Sequence, residues 1–264
     1  MKLQTLVSCV EQNTDTIAEQ MKLGSDAIVI NQCGRNAYSE YEYNGHKICC
    51  YHFCERGVGL SRNNALMRAS ADIVLFSDED IRYNEGYAKL VTDAFEKRPH
   101  ADMLLFNFDV AEDRATYHTE EEHRVTRLNC GRYPTYSFAI RLDKLRKAGI
   151  TYNLLFGGGA KYSNGEDSLF IRECIRKGFR IYALPITLGK EEPRPSTWFK
   201  GYTEKFFFDR GVLYRVLYRS LAKPLAIRFL LAHKGTFFAN DKQEVTNWKQ
   251  AYKLMKQGMK EAEL

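Results

Sequence analysis

Apolar residues fall along this chain in short runs, parted by segments whose apolar positions recur at helical spacing, from residue 3 to about residue 190. Leu3 to Val10 is predicted as a first strand. Thr16 and Glu19 have the spacing of a capping box for a short helix through Met21. Asp26 to Ile30 is a second strand, almost wholly apolar, as strands covered on both faces are. Lys47 to Phe53 is a third. A helix over 60–70 and a strand over 73–77 follow. Asn84 is placed to cap a helix that runs to Lys97 and is closed off by Pro99. Met103 to Val110 and Ser137 to Arg141 read as strands. Asp143 to Ala148 is a short helix ended by Gly149. Asp167 to Lys177 is an amphipathic helix (Leu169, Phe170, Cys174) ended by Gly178, and Arg180 to Leu184 is a last short strand. Strands alternating with helices in this way imply an α/β fold with a largely parallel sheet flanked by helices.

Three stretches break the rhythm. Residues 111–132 are charged (Glu112, Asp113, Glu120, Glu121, Glu122, Arg124, Arg127) and without a clean period, which suits a loop or hairpin over one edge of the sheet. Pro185, Pro193 and Pro195 make the next stretch irregular. From about Thr203 the chain reads as helical to its end, broken near Pro224 and around 234–242. The expected organisation is a domain over residues 1–200 and a helical extension over 201–264.

Composition narrows the class. With 264 residues and 44% hydrophobic content, the chain can bury one large core. No stretch approaches the roughly 18 apolar residues of a membrane span. The opening MKLQTLVSCVEQ lacks the apolar run of a signal peptide, so a cytoplasmic protein is expected. Seven cysteines (9, 33, 49, 50, 54, 130, 174) are irregularly spaced and include no C-x-x-C pair, which argues for reduced thiols and against zinc. The six histidines show no metal-ligand spacing, although His118 and His123 share the charged loop. Net charge is +6 but uneven: residues 212–234 carry basic and no acidic side chains.

The candidate chemistry gathers in Gly57 to Ile81. Turn glycines lead into a helix bearing Arg62 and Asn63, and the strand Ile73-Val74-Leu75-Phe76 runs into Asp78-Glu79-Asp80. Acids at the carboxyl end of a buried strand stand where open α/β sheets bind ligands. They form either a solvated turn or an oxygen site for Mg²⁺ or Mn²⁺, shared with substrate phosphates. A helix start offers N–H groups to an anion, and an arginine adds a fork of donors. Alternatively, Arg62 is a surface residue and Asn63 a cap or helix-face residue. A second pair, Glu166-Asp167, opens a helix after Gly157-Gly158-Gly159 and Gly165. It either complements the helix dipole or supplies a general base.

Taken in order, GLSRNNAL, then IVLFSDED, then GEDSLF about 85 residues later and Gly178-Phe179-Arg180-Ile181 resemble family 2 glycosyltransferases of the nucleotide-binding GT-A fold, over roughly residues 3–190. The resemblance implies an inverting enzyme that moves one sugar from a nucleotide-diphosphate sugar, of the UDP class, to a hydroxyl of a glycan or lipid-linked acceptor in surface-polysaccharide synthesis (capsule or lipopolysaccharide). It implies Asp78 and Asp80 as ligands of Mn²⁺ or Mg²⁺, with Glu79 beside the donor. Asp167 matches the base, and Glu166 shapes the acceptor site. Arg62, Asn63 and Gly59 match the helix start near the nucleotide. Ser8, Cys9 and Glu11 would lie by the base and ribose. The chain departs from the family pattern in lacking a proline near Cys9. Its second strand also ends in the amides Asn31 and Gln32, where acids that contact the nucleobase are usual; amides can also hydrogen-bond a base. A nucleotidyltransferase or a non-catalytic carbohydrate- or partner-binding relative are the rival readings. Residues 1–24 lack the glycine- and lysine-rich phosphate loop expected of the former.

The basic stretch 212–234 interleaves Leu, Val, Tyr and Phe with Arg215, Arg219, Lys223 and Arg228. It is either a core-packing helix pair with a solvated basic edge or a surface for an anionic membrane, the latter implying peripheral attachment at the inner face of the cell membrane. No RNA- or DNA-binding motif accompanies it, so nucleic acid is not an expected partner.

Overall fold

The computed structural model describes residues 1–111, 115–192, 201–238 and 244–262. Glu112, Asp113, Pro193 and Pro195 therefore lie outside the described residues. The chain divides into two compact units, residues 1–154 with 167–195, and residues 155–166 with 196–264.

The first unit opens with β1 (Leu3–Val10), α1 (Ile17–Met21), β2 (Asp26–Gln32), β3 (Ala37–Tyr43) and β4 (His46–Phe53). Next come α2 (Val58–Arg68), β5 (Ile73–Asp78), β6 (Ile81–Tyr83), α3 (Tyr87–Glu96) and β7 (Met103–Asp109). It closes with β8 (His123–Val125), β9 (Phe138–Arg141), α4 (Leu142–Ala148), α5 (Glu166–Arg176) and β10 (Ile181–Glu191). One ten-stranded sheet runs β3-β4-β2-β1-β5-β9-β7-β10-β6, with β8 paired to β10. Its parallel block is β4-β2-β1-β5. β9 then runs against both β5 and β7, and β3 runs against β4 at the other edge, so the sheet is mixed on both sides of that block. Two apolar layers cover its faces. One contains Val7, Ile17, Met21, Val29, Leu75 and Phe95, the other Leu6, Ile28, Ile30, Phe76, Phe138 and Phe170. Alternate residues of β1 and β2 thus enter opposite cores, which is why these strands read as continuous apolar runs.

The predicted strands and helices are present, and the differences have local causes. Thr16 stands at the N-cap of α1, but in an αR conformation (φ −111°, ψ −6°) its hydroxyl does not cap. That hydroxyl donates to Asn13 O and accepts from Gln20 Nε2. Asn84 does not cap α3: Gly86, with φ 75°, holds that position. β10 is eleven residues long and passes straight through Pro185. The ladder to β7 slips between Ala183 and Thr187, so the missing proline N–H falls at an irregularity in the pairing. The charged stretch after 114 does contain a strand, β8, antiparallel to β10.

The second unit holds α6 (Glu204–Tyr218), α7 (Ala222–Ala232), α8 (Lys234–Phe237) and α9 (Trp248–Glu261). Thr203 caps α6 by accepting from Phe206 N, and Asn247 caps α9 by accepting from Gln250 N. Pro224 does not break the helix. It is the third residue of α7, where its absent N–H has no intrahelical partner to lose. The break lies just before, at Arg219 (φ 49°). The core is Phe207, Ala226, Leu230, Phe237, Ala251 and Met255. Asp209, 1% exposed, accepts from the backbone N and Oγ of Ser163 at 2.8 Å and from Lys205 Nζ at 2.7 Å. The Arg210 guanidinium lies 5.3 Å from the Phe206 ring centre and 5.2 Å from that of Phe229, a cation held between aromatic faces.

α6 and α9 meet backbone to backbone. A Cβ on Gly211 would run into the backbone of Met255, and one on Gly258 into the carbonyl of Phe208. Gly258→Ala is therefore expected to destabilise the protein by about 1–3 kcal/mol through overpacking. Gly235→Ala, with open space around it, should be neutral or stabilising. Chemical denaturation of both variants checks this; equal stabilities would mean that the crossing is not tight.

Candidate functional site

The parallel block sets the carboxyl ends of four strands side by side. In its register Ser8 pairs with Asp78, Cys9 with Asn31 and Val10 with Gln32, while Asn31 and Gln32 pair with His52 and Phe53. The residues singled out in β1, β2 and β5 thus share one edge of the sheet, as residues that close separate strands must when the strands run parallel and in step.

α2 follows β4 and brings Arg62 to this edge. The helix begins at Val58, so Arg62 and Asn63 sit a turn inside it and the N–H groups of its start belong to Val58, Gly59 and Leu60. Arg62 is 5% exposed. Its Nη2 lies 3.1 Å from Asp78 Oδ1 and its Nη1 3.1 Å from Asp167 Oδ1. One guanidinium thus joins the last residue of β5 to the start of α5. Its cation also stands 5.3 Å from the centre of the Tyr152 ring. Tyr152 stacks on Phe170 at 4.1 Å and meets Phe76 edge-on. A fixed fork on a rigid aromatic wall has one orientation, and that orientation holds both carboxylates.

Asp167 has a second partner. The Thr135 hydroxyl donates to its Oδ1, and the Tyr152 hydroxyl donates to Thr135 Oγ1 at 3.3 Å. Burial raises the Tyr152 pKa well above the usual phenol value, so the phenol stays protonated and keeps donating. Tyr136 is likewise pushed up, first by burial and then by nearby groups that include Tyr117, Glu191, Asp78 and Asp167. Nothing in the sequence marks Thr135 or Tyr152. They come from an irregular turn and a loop, and only the fold brings them to α5.

The three consecutive acids differ in their surroundings. Asp78, one-third exposed, faces Arg62. Glu79 Oε2 accepts from the Val10 backbone N at 2.6 Å, tying the β5–β6 turn to the end of β1. Asp80 is half-buried and its carbonyl accepts from Glu192 N at 2.8 Å. Among the described residues no three His, Cys, Asp or Glu side chains converge as a complete metal cage. The carboxylates at the end of β5 nevertheless suit a hard divalent cation that takes one or two protein oxygens and completes its shell from phosphates. His123 is engaged elsewhere, with Tyr133 Oη and Glu121 O.

The other predicted residues mostly shape the edge. Ser8 Oγ accepts from Ser61 Oγ at 2.9 Å, tying β1 to α2. The Cys9 thiol turns inward to Ile30 O. Glu11, with φ 53°, pairs with Arg56 at 2.6 Å. Asn31 exchanges hydrogen bonds with the backbone N and O of Gln12, and Gln32 does the same with Gly57. Both amides are thus occupied with the backbone of the loops around them. Asn63 bonds the backbone N and O of Tyr152 at 2.8 and 2.9 Å. Gly59 passes so close to this segment that a Cβ would stand 2.8 Å from Asn153 O. Asn63 and Gly59 together press α2 against the loop that carries the Tyr152 ring. Glu166 is buried at the first position of α5.

Replacing Arg62 with Met keeps the apolar stem but leaves Asp78 and Asp167 without their shared cation. The expected loss is about 2–3 kcal/mol, below that of a fully buried pair because both carboxylates are partly solvated. Arg62→Lys should recover only part of this, since one ammonium cannot fork to both acids. Urea unfolding at pH 7 measures each; an unchanged midpoint for Arg62→Met would show that the bridge does not stabilise the fold.

Comparisons with known proteins agree with this architecture. The family model for glycosyl transferase family 2 matches residues 7–160. The crystal structure of S. aureus TarS 1–349 superposes with a TM-score of 0.60 at 18% identity, covering 91% of this chain and 74% of that one. The same S. aureus protein in complex with UDP-GlcNAc gives 0.61 at the same identity and coverage. In complex with UDP it gives 0.60, again at 18% identity, 91% of this chain and 74% of that one. At this identity the likeness shows the fold. No curated protein sequence matches the chain. The family match spans more than half of the chain, from β1 through the acidic end of β5 and on past β9 and α4, and on it the chain belongs to glycosyl transferase family 2.

Proposed function

We propose that this protein transfers a single sugar from a nucleotide-diphosphate sugar, of the UDP class, to a hydroxyl of a glycan or lipid-linked acceptor, inverting the anomeric carbon, in cell-surface polysaccharide assembly. The observation that carries this reading is the Arg62 bridge. It sets a carboxylate of the acidic strand end and the candidate base Asp167 on one guanidinium, as a transferase needs if donor and acceptor chemistry are to meet. Family membership supports the reading, and the S. aureus structures with UDP and UDP-GlcNAc support a uridine nucleotide on this fold.

Asp78 and Asp80 are the residues to hold Mn²⁺ or Mg²⁺, which when bound would offset the charge on the departing diphosphate. The end of β1 and the loops fixed by Asn31 and Gln32 would face the base and ribose, with those amides setting loop shape. Arg62 keeps a positive charge between the donor-side acids and Asp167. Thr135 and Arg62 both bond Asp167 Oδ1, which fixes the orientation of the carboxylate as it takes the proton of the attacking hydroxyl. Attack opposite the departing diphosphate inverts the sugar without a covalent enzyme intermediate. In this reading residues 1–200 carry the chemistry.

The first test is thermal unfolding of the full chain against nucleotide diphosphates, each with and without Mn²⁺. A ligand that binds the native state raises Tm; the expected result is a shift for UDP that depends on metal. Asp80→Ala should abolish that shift, and an unchanged shift would remove Asp80 from the cation site. Asp167→Asn should keep the shift and slow transfer by about 10²–10⁴-fold, the usual contribution of a positioned base. Near-normal transfer by Asp167→Asn would end its assignment as the base.

A further inference from the structure

The second unit exposes a face that sugar transfer does not use. From Arg210 to Asn240 the sequence has six Lys and Arg and no Asp or Glu. Within it, α7 buries Ala222, Ala226 and Leu230 and turns Lys223, Pro224, Arg228 and Leu231 to solvent. Leu221, Pro224, Arg228 and Leu231 follow one another at intervals of three or four residues, so they lie along one stripe of the helix and the turn before it. Leu221 is 60% and Leu231 53% exposed. The stripe spans about 15 Å at the α-helical rise. His233 and Lys234 extend it beyond the helix end, both exposed.

We infer that this face docks on an anionic lipid bilayer, with Leu221, Pro224 and Leu231 entering the acyl boundary and Lys223, Arg228 and Lys234 meeting lipid phosphates. Charge complementarity selects this occupant. A second copy of the chain would meet the face through a two-fold axis, setting the cations of residues 210–240 against one another in a segment that holds no acid. Nucleic acid calls for exposed rings on which bases stack, whereas the exposed apolar side chains here are aliphatic and Tyr214, Tyr218, Phe229 and Phe238 are half-buried. Aliphatic groups interleaved with long cationic stems suit the water–lipid boundary, where the stems lie along apolar surface and their heads reach the phosphates. No helix among the described residues is long and apolar enough to cross a membrane.

The test is co-flotation of the full chain with phosphatidylcholine vesicles, with and without phosphatidylglycerol. It needs no sugar donor, so its failure would leave the transferase reading standing, and loss of the UDP shift would leave the docking standing. Binding is expected only with phosphatidylglycerol. Lys223→Glu with Arg228→Glu should weaken it by about tenfold or more, and Leu221→Ser with Leu231→Ser should weaken it comparably. Lys253→Glu with Lys256→Glu, an equal charge change at exposed positions of α9, should leave it intact. Four results would overturn the proposal: no flotation with anionic vesicles; equal loss in the α9 control; no effect of the leucine pair; or a change in the oligomeric state of the protein without vesicles on reversing the α7 charges, which would mark a self-association face.

Discussion

The structure of the first unit depends on one buried cation. Arg62 must find two carboxylates from sequence positions 16 and 105 residues away, and an unpaired guanidinium at that depth would be costly. Each partner is delivered by a different kind of constraint. Asp78 arrives because β5 pairs in parallel register with β1, Asp167 because it stands in the first turn of a helix. Arg62 itself arrives because Asn63 and Gly59 seat α2 on the backbone of residues 152 and 153. Sheet register, helix start and helix seating must all be right before the three charges meet, so the bridge reports on the whole unit.

The same economy governs the acids. Three carboxylates in a row repel one another unless each has somewhere to go. Asp78 goes to Arg62 and Glu79 to a backbone N–H of the neighbouring strand. The middle acid thus serves as a staple that fixes the turn, while its neighbours remain at the sheet edge. A motif that looks repetitive in sequence is divided in space between building the edge and furnishing it.

Much of this was legible in the sequence because the signals were local. Apolar runs marked β1, β2, β5 and β7, and the order of Arg62, Asp78 and Asp167 along the chain pointed to the family. What was missed depends on contacts that no window contains. β3 is a mostly exposed strand, with only Tyr41 and Tyr43 half-buried, held by the full-length antiparallel ladder to β4, so it has no apolar run to announce it. Pro185 argued for irregular chain, yet β10 carries it at a slip in register. Asn84 has the chemistry of a cap, but Gly86 adopts the left-handed backbone that the entry to α3 requires. Thr135 touches Asp167 across 32 residues, and only tertiary structure could single it out from the other threonines.

The glycine crossing of α6 and α9 has a mechanical consequence. Two helices whose backbones touch at Gly211 and Gly258 cannot slide lengthwise, because any shift by one residue drives a Cβ into a carbonyl. The two contacts, Gly211 on Met255 and Gly258 on Phe208, stand about one turn apart on each helix, so the pair is pinned at two points. Two pins a turn apart fix the crossing angle together with the spacing, so α6 and α9 should move as one body within the helical unit.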